Sequence, residues 1–146
     1  MIALVQRVAQ ARVEVDGHIT GAIGCGLLVL VCAEPQDTGA QVARLLDKLL
    51  KLRIFADGAG RMNRSVQDVG GGLLIVSQFT LAADTAAGNR PRFTGAAAAP
   101  LGRVLYEELL QRARACHPDV QAGVFGADMQ VHMVNDGPLT IPLRVA

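Results

Sequence analysis

Three short stretches of the sequence hold the side chains that could do chemistry. The first, Ser77-Gln78-Phe79-Thr80, follows the apolar run at residues 73–76. Its hydroxyl and amide groups therefore come where a buried strand would leave the core. A buried hydroxyl or amide without a partner costs about 1–3 kcal/mol. Either this strand ends at a pocket, or these polar groups hydrogen-bond to neighbouring backbone.

The second stretch, residues 88–94, places Arg90, Pro91, Arg92 and Phe93 in a segment without strand or helix periodicity. Arginine offers a planar fork of donors that fits phosphate or carboxylate. The surrounding connection, residues 82–99, is long, and a connection of this length without regular structure is often functional. The alternative is an ordinary solvated loop.

The third stretch, residues 135–140, reads Asn135-Asp136-Gly137-Pro138-Leu139-Thr140. A Gly-Pro step between two strands is usually a plain turn. Elsewhere the sequence lacks a Gly-x-Ser-x-Gly elbow, a phosphate-binding loop and a dinucleotide fingerprint. Its three cysteines and three histidines are scattered. We therefore expect neither a metal site nor a disulfide framework.

Composition limits the class of protein. A chain of 146 residues that is 51% apolar and only 3% aromatic predicts one domain over residues 1–146 with an aliphatic core. The net charge of +1 means that a nucleic-acid partner would need a local basic patch. The sequence lacks a signal-peptide core and an apolar run of about 20 residues, so we expect a cytoplasmic protein.

The periodicity predicts an α+β fold. Alternation over residues 11–16, followed by Asp16-Gly17, indicates a hairpin, and residues 27–33 read as a buried strand. Thr38 begins a capping box, and Pro100 suits the first turn of a second helix. Residues 53–56 read as a short strand, residues 62–65 as a loop, and residues 120–126, 128–134 and 139–145 as strands. The prediction is a curved, mostly antiparallel, barrel-like sheet with two packed α-helices.

Taken together, the three stretches and the opening residues 1–8 resemble the D-aminoacyl-tRNA deacylase family. The resemblance covers nearly the full length, and it rests on the order and spacing of the motifs. Leu139, where valine is usual, is a conservative departure. The resemblance implies a homodimer that hydrolyses D-aminoacyl-tRNA, and glycine mischarged on tRNA(Ala), without metal or cofactor. It also implies that the active site lies at the subunit interface.

The resemblance also assigns residues. Ser77, Gln78, Phe79 and Thr80 match the catalytic pocket, in which Thr80 is traditionally the nucleophile. Gly137 and Pro138 match a motif that each subunit inserts into its partner's site, and that peptide bond is cis in the family. The remaining residues on the substrate-binding side are Arg90, Pro91, Phe93 and Asn135.

Two mechanisms remain open at this stage. Thr80 could attack the ester, which requires a base that the sequence does not reveal. Alternatively, the protein orients the ester and a water, the neighbouring ribose hydroxyl assists, and amides near Phe79 and Thr80 stabilise the oxyanion. Two other functions also remain: a tRNA- or protein-binding module without turnover, and an esterase for small D-amino-acid esters.

Overall fold

The structure, a computed structural model, describes residues 1–146 and contains eight strands, three α-helices and one 3-10 turn. The strands are β1 (Ile2–Val15), β2 (His18–Ile23), β3 (Gly26–Cys32), β4 (Phe55–Ala56), β5 (Met62–Arg64), β6 (Gly72–Ser77), β7 (Val120–Ala122) and β8 (Gln130–Arg144). The helices are α1 (Gly39–Lys51), α2 (Val66–Val69) and α3 (Ala99–Cys116), and the 3-10 turn is Phe79–Ala82.

The long strand β1 organises the sheet. Its first half pairs with β3, its second half with β2, and nearly its whole length pairs with β8, all antiparallel. β3 continues to β6 and β6 to β7 in parallel. The predicted α+β class is confirmed. The parallel pairs make the sheet mixed, because α1 lies in the connection between β3 and β6, and such a crossover returns the chain in the same direction.

The core is aliphatic, as predicted, and lies between the sheet and helices α1 and α3. Thr38 and Gln41 form the predicted capping box at the start of α1. Pro100 lies in the first turn of α3, and His117 caps the end of that helix. No helix is long and apolar enough to cross a membrane.

Four predicted details were wrong. Residues 62–64 form β5, an exposed strand without apolar alternation that pairs with β4. A third helix, the single turn α2, follows it and is capped by Ser65 and Asp68. The last two predicted strands are one strand, β8, which contains the Gly-Pro corner within it, and β7 ends at Ala122. Short and exposed elements carry little periodicity, so sequence patterns miss them.

The first residues of β3 and β6, Gly26 and Gly72, pack so closely that β3 has no room for a side chain at the start of this pair. A Cβ added to Gly26 would lie 2.1 Å from the carbonyl oxygen of Gly72, whereas one on Gly24 would meet nothing within 4 Å. We expect Gly26→Ala to lower the free energy of unfolding by about 3 kcal/mol or more, since backbone cannot yield as a side chain can. Urea denaturation measures this, and Gly24→Ala is the control; equal stability of the two variants would contradict the packing described.

Candidate active site and the Gly-Pro corner

The polar stretch after β6 forms a tight turn at the end of the strand. The amide of Gln78 donates to the carbonyl of Val31 at 2.8 Å and so prolongs the pairing with β3. The chain then enters the 3-10 turn, whose hydrogen bonds begin with the amide of Leu81 donating to the Gln78 carbonyl. Because each amide in such a turn bonds three residues back, the amides of Phe79 and Thr80 have no acceptor within it.

The connection at residues 83–98 folds back over this turn. The amides and carbonyls of Asp84 and Arg92 pair, at 2.7 and 2.9 Å, and close its outer part. The amide of Ala97 donates to the carbonyl of Ala33 at 2.8 Å and holds its inner end against β3. As a result Phe93 packs edge-on against Phe79, with ring centroids 5.1 Å apart.

A cavity of about 640 Å³ opens beside this aromatic pair. Its walls are the ends of β3 and β6, the connection before α3, the first half of α3, and the segment between β7 and β8. Eighteen of its 23 lining residues are hydrophobic, and Asp128 is the one charged side chain among them. The cavity therefore suits an apolar or aromatic ligand group that carries little charge.

Four of the five aromatic side chains in the sequence line this cavity: Phe79, Phe93, Tyr106 and Phe125. The few aromatic residues were therefore a usable signal for the site, but the prediction of an aliphatic core did not draw on their positions. The guanidinium group of Arg103 lies over the ring of Phe125 in a cation–π contact, with its carbon 4.7 Å from the ring centroid. The far wall, including Met129, was likewise not predicted.

The titratable groups near the turn are poor acids or bases at neutral pH. Burial raises the pKa of the Cys32 thiol, so this side chain stays protonated. Burial also raises the pKa of Tyr106 to about 12. The hydroxyl of Thr80 accepts a hydrogen bond from the side-chain amide of Gln78, and no carboxylate or imidazole bonds to it. Nothing in the chain is thus placed to activate Thr80 as a nucleophile.

The Tyr106 hydroxyl donates to the carbonyl of Ile75 at 2.7 Å in the buried part of the site. We expect Tyr106→Phe to cost about 0.5–1.5 kcal/mol of stability, because it removes one of the two donors to this carbonyl and leaves only the amide of Gly123 at 3.3 Å. Hydrolysis should change by less than about twofold, since a phenol with so high a pKa transfers no proton near pH 7. Thermal unfolding and kcat between pH 6 and 9 measure both effects. A new pH dependence in the variant would show that Tyr106 takes part in the chemistry.

The Gly-Pro corner, residues 135–140, projects from the sheet. Gln6 pairs with Thr140 and Val8 with Asn135, so residues 136–139 have no strand partner and loop out opposite Arg7. Asn135 closes the base of the loop by donating to the carbonyls of Arg7 and Leu139, both at 2.9 Å. Gly137 has φ of 129° and the Gly137–Pro138 peptide bond is cis. Gly137 and Pro138 are exposed at the tip.

Arg7 fixes the corner to the rest of the chain. Its Nε donates to the carbonyl of Asp136 at 3.2 Å, and its Nη1 donates to the carbonyl of Ile54 at 2.7 Å. Only 17% of this side chain is exposed. No local pattern around Arg7 indicates this role, because the partners lie 129 and 47 residues away. The corner is therefore rigidly placed although its tip faces outward.

Within one chain the corner does not reach the cavity. Ile2 pairs with Cys32 at the cavity, whereas the corner lies opposite Arg7, five residues along β1. At about 3.3 Å per residue this separation is about 16 Å. The cavity lining includes Ser77, Gln78, Phe79 and Phe93, and Thr80 joins it through Gln78. The other residues considered at the sequence level lie outside it: Arg90, Pro91, Asn135, Gly137 and Pro138.

The fold and this site define a class of protein: a curved α+β scaffold with a turn of free amides beside an apolar cavity. A family model described as D-Tyr-tRNA(Tyr) deacylase matches residues 4–144. The chain is 69% identical to a protein of Paracidovorax citrulli named D-aminoacyl-tRNA deacylase, over 100% of this chain and 94% of that protein. It is 67% identical to a protein of the same name from Variovorax paradoxus, over 100% of both chains.

Two solved structures have the same fold as this chain. One named c-Myc DNA Unwinding Element Binding Protein has a TM-score of 0.95 and 39% identity over 100% of this chain and 99% of its own. A probable eukaryotic D-amino acid tRNA deacylase has a TM-score of 0.80 over 97% of both chains, at 18% identity, which supports the fold alone. The chain belongs to the D-Tyr-tRNA(Tyr) deacylase family. It is a D-aminoacyl-tRNA deacylase, a hydrolase that releases the amino acid from tRNA.

Proposed function

We propose that this protein sorts aminoacyl-tRNA by handedness and that its working unit is a homodimer. In this proposal the aminoacyl ester enters the cavity beside Phe79, and the Gly137–Pro138 tip of a second copy closes it. The observation that carries the proposal is the separation described above: the corner is rigid and exposed, yet it lies about 16 Å along β1 from the cavity of its own chain.

The exposed face of β8 supports a second copy. β8 pairs only with β1, so its other edge has no strand partner on either side of the corner. Long free edges invite pairing with another chain. Beside the corner this strand also exposes Val131, Met133 and Val134. A partner that covers this edge would bring its own corner into the neighbourhood of the cavity.

A rigid stretch of backbone at Gly137–Pro138 explains how D- and L-aminoacyl esters are distinguished without recognition of any particular side chain. D- and L-aminoacyl esters differ only in where Cα directs its hydrogen and its side chain. Side chains vary too much for attraction to sort them, whereas exclusion of the L side chain works for all. Glycine at position 137 permits close approach to Cα, and the ring of Pro138 fixes φ. Glycyl-tRNA, which has no side chain to exclude, would pass the wall and be hydrolysed.

The hydrolytic step is assigned to the turn and the substrate together. The amides of Phe79 and Thr80 lack acceptors in the turn and are suited to stabilise the oxyanion that forms when water attacks the ester carbonyl. The neighbouring ribose hydroxyl supplies assistance that no side chain here is placed to give. The products are the free D-amino acid and tRNA.

Thr80→Val separates the two mechanisms, because it keeps the shape of the side chain and removes the hydroxyl. If the ribose assists, kcat for D-tyrosyl-tRNA should fall by less than about tenfold. Loss of a true nucleophile would cost more than about a thousandfold. Single-turnover release of D-tyrosine measures the rate. A trapped ester on Thr80 in the unmodified protein would refute the ribose-assisted step.

Nucleic-acid binding beside the hydrolysis is a second candidate function, since the solved structure at 39% identity is named for binding a DNA element. An esterase for small D-amino-acid esters is the third. One assay distinguishes the esterase from the proposal: release of tyrosine from D-tyrosyl-tRNA, L-tyrosyl-tRNA and free D-tyrosine methyl ester. The proposal expects turnover of the first alone. Release from the methyl ester would favour the small-molecule esterase, and release of tyrosine from none of the three would contradict the proposal.

A further inference from the structure

We propose that the β4–β5 hairpin, residues 53–64, binds backbone phosphates of the tRNA acceptor end, and that it does so for the active site of the partner subunit. This inference rests on the proposed insertion of the Gly-Pro corner into the partner's site. It assigns the hairpin as a substrate-binding surface of three arginines: Arg53, Arg61 and Arg64.

The charges of the chain single out this hairpin. Ion pairs occupy six of the fourteen Lys and Arg side chains, at Arg7, Arg12, Lys51, Arg103, Arg112 and Arg144. Four of the remaining eight lie close together in sequence: Lys48, Arg53, Arg61 and Arg64. The three arginines are exposed. Unpaired, exposed guanidinium groups on one small element suit a polyanion rather than the internal stability of the fold.

Neutral acceptors hold two of the three arginines, Arg53 and Arg64, in place. The guanidinium of Arg53 bonds the backbone carbonyl and the side-chain oxygen of Asn63, and Arg64 donates to the carbonyl of Asp68. Asp57, the one carboxylate in the hairpin, accepts from the amides of Ala59 and Arg61, and neither it nor the nearby Asp68 forms an ion pair with the arginines. The amides of these turns, and to a smaller extent the charge of Arg64, lower the pKa of both carboxylates. The positive charges therefore remain available while their side chains are partly ordered, which lowers the entropic cost of binding phosphate.

Arg7 couples the hairpin to the corner. One side of its guanidinium bonds Asp136 in the corner, and the other bonds Ile54, the residue immediately before β4. Within β4 and β5, Phe55 pairs with Arg64, so the clamp fixes the base of the whole hairpin. A site that receives the Gly-Pro tip therefore lies near the base of the hairpin at Ile54. If that site belongs to the partner, the arginines border the partner's cavity, where the acceptor stem leads away from the bound terminal nucleotide.

The first test compares two substrates. The triple variant R53Q/R61Q/R64Q removes three charges and keeps amide donors, and the control R44Q/R112Q/R114Q removes three charges from the helices. We expect kcat/KM for D-tyrosyl-tRNA to fall roughly 10- to 100-fold in the hairpin variant only, and the slope of log(kcat/KM) against log[salt] to flatten by about two. Hydrolysis of the D-tyrosyl ester of adenosine, which has no stem, should be unchanged. An equal loss on both substrates, or equal loss in the control, would overturn the assignment.

Mixed dimers test whether the hairpin serves the partner. One subunit carries Ala98→Trp, which fills the cavity from an exposed wall residue, so one working site remains. Placing the hairpin substitutions on the plugged subunit should lower hydrolysis of D-tyrosyl-tRNA, and placing them on the other subunit should not. Loss only in the second arrangement, or equal loss in both, would overturn the inference. The D-to-L ratio of the same dimers reports the proposed chiral sorting separately, because the hairpin does not touch the amino acid.

Discussion

Pro138→Gly is expected to let the protein hydrolyse L-aminoacyl-tRNA. In the proposed dimer the tip of the corner stands where an L side chain would project, and the proline ring is what fixes its main chain. Glycine at this position keeps the small volume but frees φ, so the wall can yield. A discrimination of about a thousandfold corresponds to about 4 kcal/mol, and most of it should disappear. We expect kcat/KM for L-tyrosyl-tRNA to rise at least about 100-fold.

The matched control is Pro142→Gly, the same change in the same strand. Pro142 is exposed and pairs with Leu4, away from the corner. This control should leave L-tyrosyl-tRNA untouched, and both variants should hydrolyse D-tyrosyl-tRNA at close to the original rate. Sedimentation confirms that each variant keeps its oligomeric state. If Pro138→Gly loses the D activity and gains no L activity, the corner serves the fold or the dimer and does not read handedness.

The second large effect concerns the substrate. No base is bonded to Thr80, and burial raises the pKa values of Cys32 and Tyr106, so none of these three side chains is suited to move the proton. The neighbouring ribose hydroxyl is the remaining candidate. We expect D-tyrosyl-tRNA that lacks this hydroxyl on its terminal ribose to react about 100- to 10,000-fold more slowly, the usual contribution of one positioned proton-transfer group. Single-turnover kinetics measure the chemical step.

Binding of the deoxy substrate is the control. Used as a competitor of normal D-tyrosyl-tRNA, it should inhibit with a constant close to the normal KM, because the protein contacts are unchanged. A deoxy substrate that reacts at the full rate would remove the ribose from the mechanism. One that neither binds nor reacts would show that the hydroxyl is a recognition group.

Regular, amphipathic elements were predictable from the sequence. The capping box at Thr38 and the proline at the start of α3 act through neighbouring residues, so local pattern is enough to find them. The stretch at residues 77–80 was also predictable, because polar groups after a fully apolar run conflict with burial. The structure places Ser77, Gln78 and Phe79 in the lining of a cavity.

Contacts between distant segments were not predictable. The clamp of Arg7 joins residues 7, 54 and 136, and no local pattern marks such a meeting. The hairpin of β4 and β5 was partly missed because its residues are mostly exposed and show no alternation of apolar and polar side chains. The far wall of the cavity, with Phe125 and Met129, depends on how the segment after β7 returns over α3. Such features follow from tertiary packing, which sequence periodicity does not encode.

The most direct test of cross-subunit chiral sorting is the D-to-L selectivity of two mixed dimers that each keep one open cavity. Both contain an Ala98→Trp subunit, and Pro138→Gly is placed either on that plugged subunit or on the open one. We predict hydrolysis of L-tyrosyl-tRNA only when the altered corner belongs to the plugged subunit, because that corner closes the open site. If L activity instead follows an altered corner on the open subunit, each chain closes its own site and the central claim is wrong.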